Sequence, residues 1–180
     1  QALETLASWK VDLGAEADPD LEAARRSAEF GPLRERLAAL RKPIGTASVA
    51  FELPDRDLAE GIAYDPVSKT FLVGSVHGRR IVRRSAAGAV TPFATHDLGV
   101  FGMAVDAERR LLWAATAALP EMSGYDKSME GKTALVAFDL ATGKEARRVA
   151  PPSGGGAHSF NDVTVSPKGE VYVSDSVGGP

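Results

Sequence analysis

Two oxygen-rich pairs, Asn161-Asp162 and Asp175-Ser176, bracket a run that otherwise alternates apolar and polar residues, SFNDVTVSPKGEVYVSDS. A carboxylate and an amide oxygen side by side are ligands for a hard cation. Ca²⁺ takes about six to eight oxygens at roughly 2.3–2.6 Å. A plainer reading is open at the same residues: Asn161 and Asp162 can close Asx-type turns that cap a strand. His158 stands three residues before Asn161, after Ser153-Gly154-Gly155-Gly156. Its imidazole is a candidate catalytic base or substrate contact, against the simpler role of a solvated loop residue.

Composition removes several chemistries. The 180 residues contain no Cys, which excludes thiolate metal sites, a Cys nucleophile and disulfides. A net charge of -3 offers no basic surface for nucleic acid. No apolar run approaches the ~20 residues that span a bilayer. No signal peptide is visible, in a chain that begins at Gln1. Ser153–Gly156 lacks the Gly-Lys-Ser/Thr ending of a phosphate loop, and no helix follows it.

The elements that position the oxygen ligands come from an internal repeat. Gly61–Ser75 (GIAYDPVSKTFLVGS), Gly102–Thr116 (GMAVDAERRLLWAAT) and Asp162–Ser176 (DVTVSPKGEVYVSDS) align without gaps. Apolar residues coincide at Ile62, Met103 and Val163, at Tyr64, Val105 and Val165, and at Phe71, Leu112 and Tyr172. Ser75, Thr116 and Ser176 end the copies. Each copy reads as strand, tight turn, strand. Two further strands follow the first copy (79–84 and 89–94) and the second (133–140 and 145–150). Four strands recurring at about 40 residues are the pattern of a β-propeller blade. The chain holds two blades and half of a third, and an open propeller exposes strand edges. It therefore reads as part of a longer protein, with residues 49–53 (VAFEL) as an outer strand for a final blade.

In such a ring the residue before each innermost strand stands at the channel mouth. These residues are Glu60, Phe101 and Asn161. Glu60 and Asn161, 101 positions apart, are thereby expected to converge on one cation, with Asp162 as a further ligand or a support. Asp175 reads as structural, closing its strand and bonding the next blade's backbone.

The first 45 residues are of another kind, with residues 46–180 forming the propeller part. Leu3, Leu6, Trp9 and Leu13 recur at helical spacing, as do Leu21, Ala24 and Ala28, then Leu33, Leu37 and Leu40. Asp18 or Asp20 is a candidate N-cap, and Gly31-Pro32 is expected to break the run. The segment is a helical appendage or the closing unit of an array. DPDLEAARRSAEFGPLRERLAAL resembles the end of a tetratricopeptide array, which implies a protein partner docking through it.

AEGIAYDPVSKTFLVGSVHGRRIVR and NDVTVSPKGEVYVSDSVGG resemble the six-bladed propellers of the regucalcin (senescence marker protein-like) and gluconolactonase family, related to paraoxonases and strictosidine synthases. The resemblance covers about residues 48–180. It implies an all-β six-bladed propeller, about two and a half blades of it in this chain, behind a short α-helical segment. It implies Glu60 and Asn161 as ligands of a divalent metal, Ca²⁺ foremost with Zn²⁺ and Mn²⁺ as alternatives, and hydrolysis of lactones or small esters. With a chain that begins at Gln1, it implies a periplasmic or secreted home. Paraoxonases carry a His where this chain has Phe101, so that base is absent here. The later-blade Asp of gluconolactonases is expected beyond Pro180. The competing expectation is a non-catalytic propeller that binds a ligand or a protein.

Among the remaining polar residues, His77 and His96 read as surface positions. Residues 118–132 interrupt the second blade, with Tyr125, Asp126 and Lys127 in a lid or a solvated loop. Arg79, Arg80, Arg83 and Arg84 read as charges guarding an outer strand against mispairing.

Overall fold

A computed structural model describes residues 2–12, 14–42, 45–53, 57–154 and 156–178. Leu13, Pro43, Gly155, Gly179 and Pro180 lie outside the described residues. The chain divides into two compact units, 1–50 and 51–180.

The first unit contains α1 (Ala2–Ser8), α2 (Glu22–Arg25) and α3 (Phe30–Leu40). Asp18 Oδ1 accepts the Asp20 N–H at 2.9 Å and caps a 3₁₀ turn, Pro19–Leu21, that leads into α2. Ala7, Ala15, Phe30, Leu33 and Leu37 form its buried core. Trp9, expected on the apolar face of the first helix, lies beyond the end of α1 and is 69% exposed. The run does break, at residues 26–29 between α2 and α3, just ahead of Gly31-Pro32. Both residues sit in the first turn of α3, where the missing proline N–H has no helical partner to lose. No helix among the described residues is long and apolar enough to cross a membrane.

The second unit is built of antiparallel meanders. β1 (Ala59–Asp65), β2 (Thr70–Ser75), β3 (Arg80–Arg84) and β4 (Val90–Thr95) pair in sequence order as the first blade. The second blade repeats the order with β5 (Gly99–Asp106), β6 (Leu111–Ala117), β7 (Thr133–Asp139) and β8 (Glu145–Val149). β9 (Phe160–Val165) and β10 (Val171–Asp175) form a hairpin that begins a third. The innermost strands are neighbours, with β5 between β1 and β9.

Composition explains which strands lie inside. β6 (LLWAATA) and β7 (TALVAFD) are buried almost throughout because both faces of the second blade are covered. Leu72, Ile81, Val100, Leu112, Val136 and Phe138 belong to one core cluster. Phe101, Trp113, Ala137, Phe160 and Val163 belong to a second. β8 (EARRV), an edge strand, is exposed along its length and charged.

The four arginines do not guard an outer strand. β3, which carries Arg80, Arg83 and Arg84, is paired on both sides. Arg80 Nη2 bonds Asp57 Oδ2 at 2.6 Å. Arg83 lies over the Phe93 ring and donates to the Leu140 carbonyl, joining the first two blades. Arg84 lies over Phe51, whose ring tilts against Phe71. Residues 49–53 form no strand; Phe51 is held by these ring contacts instead of a ladder.

The third copy departs from the ungapped repeat. Its hairpin pairs Val171 with Val165, where the first pairs Phe71 with Tyr64 and the second Leu112 with Val105. The turn closed by Ser166 and Glu170 is one residue shorter, with Gly169 at φ +84°. Val171, not Tyr172, therefore takes the inward place, and Tyr172 is exposed. The same slip puts Asp175, not Ser176, opposite Phe160, where Ser75 faces Ala59 and Thr116 faces Val100.

Candidate metal centre

Each innermost hairpin carries a β-bulge at the same place. Glu60-Gly61 oppose Gly74, Phe101-Gly102 oppose Ala115, and Asn161-Asp162 oppose Ser174. Two residues against one bend the strand and turn a side chain away from the ordinary alternation. The candidate ligands are thus the bulged residues themselves.

The bulges lie edge to edge because glycines let the backbones meet. A Cβ on Gly61 would stand 2.1 Å from the Phe101 carbonyl oxygen. A Cβ on Gly102 would stand 2.1 Å from Asp162 Oδ1 and 2.9 Å from the Asn161 carbonyl oxygen. No side chain fits such gaps. The outcome is a hollow of about 340 Å³ lined by Glu60, Gly61, Ile62, Gly102, Met103, Asn161 and Asp162.

Glu60 and Asn161 share this hollow, and both are exposed. Among the described residues, no hydrogen bond engages the Glu60 carboxylate or the Asn161 side-chain amide. Asp162 Oδ1 accepts the N–H of Val163 at 2.8 Å and no other hydrogen bond among the described residues. Asn161 therefore closes no Asx turn. Phe101 differs from its repeat partners: it is 8% exposed and belongs to the second core cluster, so it packs where a mouth residue was expected.

The donors are all hard oxygens, one carboxylate, one amide and a second carboxylate beside it, which is the chemistry Ca²⁺ prefers. Among the described residues no three of His, Asp and Glu converge for a metal. A cation here would use the mixed carboxylate–amide set, with water and carbonyl oxygens completing the shell.

His158 does not line the hollow. Its Nδ1 lies 2.5 Å from Asp175 Oδ2, and its Nε2 is buried without a partner among the described residues. Asp175 Oδ1 accepts backbone N–H groups from Ser159 (2.8 Å), Gly178 (2.9 Å) and Val177 (3.2 Å). Those bonds, those to Ser159 and Gly178 foremost, hold its carboxyl well below the usual range. Asp175 is a structural acceptor as expected, but within its own blade.

Other polar residues resolve differently from their expectations. His96 is no surface residue. Its side chain is 2% exposed, its ring lies edge-on to Phe138, and Nδ1 accepts the Leu98 N–H at 3.1 Å. Burial pushes its pKa below the ordinary value. His77 is exposed, with Nδ1 2.8 Å from the Glu121 carbonyl oxygen. Residues 118–132 are anchored and not wholly solvated: Met122 is buried with Leu98 and Ala118, and Tyr125 and Met129 pack against them.

No protein-family model matches the chain, and no curated protein does. Among solved structures it is similar to a gluconolactonase of Xanthomonas campestris, with 23% identity and a TM-score of 0.52 over 66% of this chain and 35% of that one. It is also similar to a chain of the nidogen/laminin complex, with 20% identity and a TM-score of 0.49 over 66% and 40%. The fold is a partial β-propeller. The chain spans about a third of the length of the gluconolactonase it matches. In this propeller the bulged residues of the first and third blades face a common hollow at the start of the innermost strands.

Proposed function

We propose that this propeller carries the metal site of a hydrolase acting on lactones or small esters, of the gluconolactonase and regucalcin type. One observation carries the reading. Glu60 and Asn161, 101 residues apart, line one hollow with side-chain oxygens that no neighbour among the described residues engages. Oxygens committed to strand capping would have internal partners. The likeness to a gluconolactonase supports the substrate class.

In this reading Glu60 and Asn161 hold the cation, and Asp162 supports it from the same bulge. All-oxygen donors favour Ca²⁺ over Zn²⁺ and Mn²⁺. A bound cation supplies Lewis acidity that polarises the ester carbonyl and stabilises the oxyanion. The chain's own residues set the surroundings. Ile62 and Met103 offer the hollow an apolar wall, and Gly61 and Gly102 keep it free of side chains at the closest backbone approach.

The test is hydrolysis of a panel of lactones and small esters by the full chain, before and after chelation. Loss of turnover in chelator and recovery on adding Ca²⁺ supports the reading. Turnover unchanged in chelator rejects the metal. No turnover on any substrate, with Ca²⁺ bound, favours a binding propeller.

A further inference from the structure

The approach to Asn161 is held by side chains to an extent the other two bulges are not. The Ser159 N–H bonds Asp175 Oδ1 at 2.8 Å. The Phe160 N–H bonds Thr133 Oγ1 of the second blade at 2.9 Å. The Asp162 N–H bonds Ser174 Oγ at 2.9 Å, across the bulge. Three of the four N–H groups from 159 to 162 thus end on side-chain oxygens. Thr133 is itself fixed, donating its hydroxyl to the Thr116 carbonyl at 2.7 Å. Asp175 is fixed by the Val177 and Gly178 N–H groups and by His158. At the first two bulges the residue facing the pair is Gly74 or Ala115, neither of which has a side-chain acceptor.

We infer that Thr133, Ser174 and Asp175 are positioning residues for Asn161, and that His158 acts through Asp175 as a hydrogen-bond donor and not on the substrate. This rests on the reading of Asn161 as a metal ligand. A side chain on a bulge inherits its direction from a backbone that the ladder no longer fixes. The acceptors replace the missing ladder bonds. Thr133 reaches across from the neighbouring blade and ties the direction of Asn161 to the packing of two blades. His158 spends Nδ1–H on Asp175, and Nε2, the atom a base would use, is buried. A donor placed where Nδ1 sits is all this role needs, and an Asn side-chain amide places one at the same distance along the side chain.

The test is Ca²⁺ affinity by calorimetry and Tb³⁺ luminescence on the full chain, with urea unfolding to establish that each variant is folded. Thr133→Val and His158→Leu are expected to weaken Ca²⁺ binding about tenfold or more, the usual scale for loss of a group that orients a metal ligand. Thr133→Ser and His158→Asn, which keep the hydroxyl and the donor, are expected to retain affinity and lactone turnover. Unchanged affinity in folded Thr133→Val and His158→Leu overturns the inference and leaves the metal reading standing. Turnover lost in His158→Asn with affinity intact overturns it in favour of a catalytic imidazole. An unmodified chain that binds neither Ca²⁺ nor Tb³⁺ overturns both.

Discussion

Arg110, in the β5–β6 turn of the second blade, grips Asp65, at the end of β1 in the first, through two bonds of 2.7 Å from Nη1 and Nη2. Asp65 is 0% exposed and also accepts the Val67 N–H and the Ser68 hydroxyl. The Arg110 guanidinium, ahead of the Ser68 and Val67 bonds, holds the Asp65 carboxyl well below the usual range. Removing the arginine strands a buried charge. Arg110→Ala is expected to lose about 2–3 kcal/mol in urea unfolding, less than the roughly 3–5 kcal/mol of a fully buried pair because the guanidinium is partly exposed. Because the folded carboxyl is depressed, its stabilisation is fully present above the unfolded pKa and is lost as pH falls below about 4. Arg110→Ala should therefore show a shallower acid limb than the unmodified protein.

Gly102 faces Asp162 with no room for a methyl group. Gly102→Ala is expected to part β5 from β9 and cost about 1–3 kcal/mol, the usual cost of overpacking. The readout that separates this from a general loss is the site: Ca²⁺ affinity should fall while the acid limb set by Asp65 and Arg110 is unchanged. An alanine tolerated with full stability would contradict the edge-to-edge contact of the bulges.

Glu60→Gln and Asn161→Ala should each weaken Ca²⁺ binding, because affinity follows ligand charge and count. Both side chains are exposed and lack internal hydrogen bonds among the described residues. Unfolding free energies without metal are therefore expected to stay within about 0.5 kcal/mol of the parent. Asn161→Ala that unfolds the chain but spares Ca²⁺ binding would make Asn161 a structural residue.

His96 predicts a step in stability near neutrality. Burial lowers its pKa, while Asp97 and Glu145 oppose that shift and Arg148 adds to it. The unfolded chain takes up the proton at about pH 6.5 and the folded chain resists it. Stability is thus level above pH 7 and declines as pH falls through 6.5. His96→Asn, whose carbonyl oxygen can still accept the Leu98 N–H, should flatten the profile between pH 5 and 7. A profile equally steep in the variant would assign the step to another group.

The repeat exposed the blades because alternation and turn residues are local properties. β1 to β10 fall within a few residues of the segments expected from periodicity alone. The third copy departs from the others for a geometric reason. One residue missing from the turn before Glu170 moved Val171 and Asp175 into places that an ungapped comparison assigned to Tyr172 and Ser176. The burial of His96 and the pairing of β3 on both sides lie outside local pattern because they depend on what lies across the neighbouring strand and blade, and Phe101 departs because an aromatic at a mouth position can pack between blades. The break between α2 and α3 falls a few residues before Gly31-Pro32, because a proline is tolerated in the first turn of a helix.

Residue order along the chain dictated the strands, their turns, the missing thiols and the pair of oxygen-bearing residues at equivalent repeat positions. These follow from the preferences of each residue and its near neighbours. Packing of the blades decided the rest. It put Glu60 and Asn161 on one hollow, brought the backbones together at Gly61 and Gly102, and set Thr133 against Phe160. Contacts between residues tens of positions apart depend on bulges and side-chain acceptors, and local pattern carries no record of which strands will meet.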